Sequence, residues 1–149
     1  MLYQRALETS RISSAILVIR CMVGGVFFLE GVKKFLFAEQ WGAGRFVRIG
    51  IPIPHVAGPF VGAIEVICGL LLLLGLRTRV AAVPLLIDIL VAVAATKIPI
   101  LLQAGFWPMQ AEARTDYSML LGLIFLLMTG SGGWSLDALL SGKPSRSAT

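Results

Sequence analysis

The sequence predicts an all-α integral membrane protein built as a four-helix bundle. Three observations carry that prediction. Of the 149 residues, 57% are hydrophobic and only 14% charged, whereas a soluble domain has about a quarter charged. A soluble fold of this size would have to expose apolar patches large enough to drive aggregation. Four apolar stretches approach the roughly 20 residues that a helix needs to cross hydrocarbon. Finally, glycines and charged residues share helical faces, as they do where membrane helices pack closely. The same composition excludes a disordered chain, a disulfide-rich secreted module and a nucleic-acid-binding domain.

The first span is expected over about residues 12–32, the second over 56–76, the third over 80–98 and the fourth over 111–130. The first carries Arg20 in its apolar part, and Gly31 to Lys34 offers no small-x-small cleavage site. It therefore reads as a retained anchor helix rather than a signal peptide. Leu76 to Arg79 is too short for anything but a tight turn, so the second and third spans form an antiparallel hairpin. Between the first two spans lies a long segment with Trp41, Arg45, Phe46 and Arg48, closed by Ile51-Pro52-Ile53-Pro54. It reads as an amphipathic stretch along the headgroups that the prolines turn back into the bilayer. Trp107 and Pro108 mark a second interfacial loop and Trp134 a third. After Gly142, residues 143–149 form a polar tail, and the whole reads as a single membrane domain.

Charge gives the setting. Thirteen Lys and Arg against eight Asp and Glu leave a net charge of +5. The basic residues flank apolar runs, so the expected partner is the lipid bilayer with its anionic headgroups, not nucleic acid. Arg5, Arg11, Arg77, Arg79, Lys143 and Arg146 fall on the side of the termini, against Lys33, Lys34, Arg45, Arg48, Lys97 and Arg114 opposite. Lys33, Lys34 and Lys97 stand at span ends where they can turn inward. Discounting them puts the termini in the cytoplasm and the protein in a bacterial inner membrane. Cys21 and Cys68 lie inside apolar runs with no C-x-x-C pair and read as free, buried thiols. With His55 as the single histidine, a His-rich metal site and a bis-histidine haem are excluded, and no metal is expected.

Ionisable groups inside hydrocarbon are costly, about 2.5–3.5 kcal/mol each on insertion scales, and normally face a bundle interior with a partner. Arg20, Gly24, Phe27, Gly31 and Lys34 fall on one stripe of the first span. Gly58, Gly62, Glu65, Gly69 and Leu72 do so on the second, and Pro84, Asp88, Ala92 and Ala95 on the third. By depth, Arg20 and Asp88 form a candidate buried pair. Glu65 sits mid-span, with Lys34, Lys97, Glu112 and Asp116 displaced toward the face opposite the termini. These five make a mixed-charge layer, a candidate ligand-binding site or proton relay. No G-x-G-x-x-G fingerprint, no phosphate-binding loop and no serine triad is present, so no catalytic residue can be assigned.

The ordered set Arg20, Gly24, Phe27, Gly31 and Lys34, then Gly50-Ile51-Pro52-Ile53-Pro54, resembles the DoxX family of small bacterial membrane proteins. So do Glu65, Gly69, Leu72 and Gly75-x-x-Thr78-Arg79-x-Ala81-Ala82, and the closing Gly133-x-Ser135-Leu136-Asp137. The resemblance runs over nearly the whole chain and implies a four-helix membrane bundle related to DoxD, the membrane subunit of thiosulfate:quinone oxidoreductase. Its matching polar positions here are Arg20, Lys34, Glu65, Arg79 and Glu112. Asp88 and Lys97 are read from this sequence alone. Together the layer and the resemblance imply a membrane subunit of a redox system that binds a quinone or a small sulfur-containing substrate. Such a subunit is at most part of an oxidoreductase and needs a redox partner subunit. Two other readings stay open: a homo-oligomeric transporter or channel component for protons or a small solute, and a non-catalytic scaffold for partner enzymes.

Overall fold

The computed structural model describes residues 2–141, and the polar tail expected at 143–149 lies outside them. The described residues are all-helical. Four long helices, α1 (Leu2–Leu36), α4 (Pro54–Leu74), α5 (Thr78–Ala104) and α6 (Phe106–Thr129), pack against one another. Short helices α2 (Ala38–Trp41) and α3 (Ala43–Arg48) join α1 to α4, and α7 (Leu136–Leu140) follows α6. The packed interior is apolar, with Val23, Phe27, Leu72, Leu85, Leu123 and Leu126 at its centre.

Among the described residues, three helices are long and apolar enough to cross a membrane: Ser10–Leu36, Pro54–Leu74 and Thr78–Ala104. Their outer faces expose Leu29, Ile67, Val80 and Leu102, a surface that suits lipid and not water. The helix α6 is long enough at 24 residues, but Glu112, Arg114 and Asp116 charge its first half. Its second half, with Leu123 and Leu126 fully buried, is as apolar as the other three.

The glycine stripes meet as their spacing predicts. A Cβ at Gly31 would lie 2.7 Å from the Gly62 carbonyl oxygen, and one at Gly69 would lie 2.7 Å from the Phe28 amide nitrogen. The α1 and α4 backbones therefore touch, antiparallel, and only glycine allows that approach. At the far end of α4, Gly75 (φ 68°) closes the helix with a Schellman pair of bonds. Leu76 N–H donates to the Leu71 carbonyl (2.9 Å) and Gly75 N–H to that of Leu72 (3.1 Å).

Several boundaries differ from the sequence reading. The third span does not stop near residue 98 but runs to Ala104 through Pro84 and Pro99. The loop expected at Trp107 and Pro108 shrinks to Gly105 (φ 88°), with both residues in the first turn of α6. Proline is tolerated there because first-turn amides have no helical partner to lose. Cys21, expected to be buried, is exposed on the outside of α1, while Cys68 is buried; both are free.

Candidate functional site

The close contact of α1 with α4 decides where the first cation of the layer goes. Lys34, one helical face on from Gly31, reaches across to Glu65, and Lys34 Nζ donates to Glu65 Oε2 at 2.5 Å. Both side chains are nearly buried, at 11% and 5% exposure. From α5, the Asp88 carboxyl comes within hydrogen-bond reach of Glu65 and within the field of Lys34. Three ionisable side chains from three helices thus meet in one cluster.

A second pair lies farther along α5. Lys97 Nζ and Asp116 Oδ2 of α6 are 3.1 Å apart, with exposures of 11% and 22%. Glu112, one turn earlier on α6, is exposed and has no ion-pair partner among the described residues. Between the two pairs is a cavity of about 410 Å³. Lys34, Glu65, Asp88, Lys97, Glu112 and Asp116 all line it, and Phe27, Ile89 and Met119 supply apolar wall. The volume lies within the roughly 300–1,000 Å³ usual for small-molecule sites. All five residues expected in the layer therefore share one cavity, and Asp88 joins them.

The expected pairing of Arg20 with Asp88 is not what the structure shows. Arg20 is 1% exposed and gives its hydrogen bonds to four carbonyl oxygens. Nε donates to Leu72 (2.9 Å) and Nη2 to Leu73 (2.8 Å), while Nη1 donates to Ser131 (2.9 Å) and Trp134 (2.7 Å). The last carbonyls of a helix have no intrahelical donor and carry the negative end of its dipole. The end of α4 is therefore as good a partner for a buried guanidinium as a carboxylate, and it lies nearer than Asp88.

Sequence reasoning did not attach the segment between α1 and α4 to the site. Trp41 and Arg45 of that segment line the cavity, together with Glu30 and Lys33 of α1. Lys33 Nζ stands 4.2 Å from the centre of the Trp41 ring and the Arg45 guanidinium 5.6 Å, in cation–π range. Lys33 also pairs with Glu30 at 2.6 Å. The signal was the cluster of Trp41 and Arg45 just past a span end, which reads equally well as an ordinary headgroup anchor.

The DoxX family profile matches residues 15–98, and that of DoxD, the TQO small subunit, matches residues 59–148. A relative from Mycobacterium tuberculosis, named "Uncharacterized membrane protein Rv3486", is 53% identical over 133 residues, covering 85% of this chain and 82% of the relative. A second, from Bacillus subtilis, is named "Putative oxidoreductase CatD"; it is 32% identical over 121 residues, covering 81% of this chain and 83% of the relative. No solved structure matches the chain.

Proposed function

The chain belongs to the DoxX family of membrane proteins, and from that premise we propose that it is a membrane subunit of a redox system. In this reading the cavity lined by Lys34, Glu65, Lys97, Glu112 and Asp116 binds a quinone or a small sulfur-containing substrate. The observation that carries it is the convergence of these residues, with Asp88, on one cavity with apolar walls. The likeness to the relative named "Putative oxidoreductase CatD" supports the reaction class.

The residues suit a quinone head. The apolar wall of Phe27, Ile89 and Met119 can cover a ring, and the Lys34 ammonium has donors beyond the one that Glu65 accepts. A quinone taken to its hydroquinone accepts two electrons and two protons. In this reading the electrons come from the redox partner subunit. Glu65 and Asp88 share the wall of the cavity, and carboxyl groups beside a bound quinone can take up or give a proton. They form a place to hold a proton beside the reacting group.

The membrane arrangement belongs to the same proposal. The apolar half of α6 completes a fourth span, making a single four-helix membrane domain in the inner membrane with both termini cytoplasmic. The cavity then opens toward the opposite face, under Lys33, Trp41 and Arg45.

Quinones quench tryptophan fluorescence, and Trp41 lines the cavity. Titration of a short-tailed quinone into the detergent-solubilised chain should quench saturably, and Trp41→Phe should remove most of that signal. Glu65→Gln should weaken the quinone about tenfold, the loss of roughly one charge-assisted hydrogen bond. Saturable quenching that Glu65→Gln leaves unchanged would remove the site from this cavity.

A further inference from the structure

At the other end of the molecule, the α4–α5 turn and the segment after α6 flank a second, open hollow, of about 540 Å³. Exposed Arg77 and Arg79 line it, as do Thr78, Gly130, Ser131 and Asp137. Three features here point to one kind of ligand.

The first is the start of α5, a helix of 27 residues. The amides of Val80 and Ala81 both donate to the Arg77 carbonyl, and the Arg77 amide donates to Asp137 Oδ2 at 2.9 Å. The amides of Thr78 and Arg79 have no partner among the described residues. They present the positive end of the helix dipole to the hollow.

The second is Thr78 itself. Its side chain is 1% exposed, yet its Oγ1 has no hydrogen-bond partner. A buried hydroxyl without a partner is rare in native structures and calls for an explanation. The third is charge. Two arginines face one carboxylate, a net charge of +1 (two minus one). Arg79 uses one guanidinium nitrogen on the Met128 carbonyl, at 2.9 Å, which leaves its other donors available. The Asp137 carboxylate is engaged by the Arg77 amide.

We propose that this hollow is a binding site for a phosphate-type oxyanion, held by the Thr78 and Arg79 amides, the Thr78 hydroxyl and the guanidinium groups of Arg77 and Arg79. Amides at a helix start, a hydroxyl and two guanidiniums form a donor set that a tetrahedral oxyanion satisfies. The anion supplies the acceptor that the Thr78 hydroxyl lacks. The site stands where two membrane-length helices end and begin, at headgroup depth. Its net charge matches a singly charged phosphodiester such as a lipid headgroup, and free phosphate offers the same oxygens. This site is independent of the cavity between Lys34 and Asp116 and would stand if the redox reading failed.

The test uses the full chain, delipidated in a maltoside detergent and titrated calorimetrically with inorganic phosphate or, separately, with short-chain phosphatidylglycerol. At least one probe should bind with one-to-one stoichiometry. Thr78→Val keeps the shape and removes the hydroxyl, and should weaken that binding about tenfold. It should also leave the melting temperature equal or higher, because an unsatisfied group is gone, so lost binding would not mean a lost fold. Arg79→Gln should weaken binding at least as much. Binding of the lipid alone assigns a headgroup, and binding of both probes in competition assigns a general oxyanion site. If neither probe binds one-to-one, or if both variants bind like the parent, the proposal is overturned.

Discussion

Arg20 and Lys34 lie on one face of α1, about four helical turns apart, and both turn into the protein. Arg20 ends among four backbone carbonyls that already belong to the end of α4 and the segment after α6. Lys34 ends on the carboxylate of Glu65, with Asp88 close by and a cavity of about 410 Å³ alongside. The difference lies in what the partner can do. A backbone carbonyl neither takes up a proton nor moves away, so the Arg20 end is a fastening between α1, α4 and the chain after α6. A carboxylate can be protonated or can exchange its partner, and a cavity beside it leaves room for that. One helix face thus carries a fixed joint at one end and an adaptable site at the other.

Removing Arg20 should produce the largest loss. Arg20→Met leaves the carbonyls of Leu73, Ser131 and Trp134 without that donor and should cost about 4 kcal/mol, read as a fall in the thermal unfolding midpoint in detergent. A double-mutant cycle with Asp88→Asn sharpens the point. Coupling should stay below about 0.5 kcal/mol, as for residues that share no contact, whereas a true Arg20–Asp88 pair would give well over 1 kcal/mol.

The Lys34 end should respond differently. Lys34→Met alone strands the Glu65 charge and should cost about 3 kcal/mol. Adding Glu65→Leu should recover most of that stability while abolishing ligand binding, because an apolar pair can replace a buried ion pair in the fold but not in the site. If the double variant stayed as unstable as the single one, the pair would be a structural element like Arg20. The smallest effect is expected at Lys97. Its bond to Asp116 is partly exposed, so Lys97→Gln should cost less than about 1 kcal/mol and change chiefly how the cavity selects ligand charge.

These contrasts explain which parts of the protein were legible in the sequence. Side-chain periodicity placed Gly24, Gly31, Gly62 and Gly69 on facing stripes, and their backbones do meet. The same register carries Lys34 to Glu65, two members of the expected layer, although the sequence reading did not draw that pair. Arg20 was misassigned because its partners are main-chain carbonyls, which every residue has and no side-chain pattern reveals. The fourth span, expected from residue 111, starts earlier as a helix because Trp107 and Pro108, which read as an interfacial loop, form the first turn of α6. Thr78 stood in the sequence only as part of the family pattern, for a related reason: its significance lies in a missing bond, which only three-dimensional packing exposes.

The most direct test of the central claim is native mass spectrometry of the protein released gently from its own membranes, with the parent and Glu65→Gln compared side by side. The account predicts a stoichiometric small molecule of quinone or sulfur-compound mass on the parent. It should be lost from Glu65→Gln, with the Arg20 end intact and the melting temperature within a few degrees. A parent that carries no such molecule, or a variant that retains it in full, would contradict the claim that the cavity beside Glu65 is the functional site.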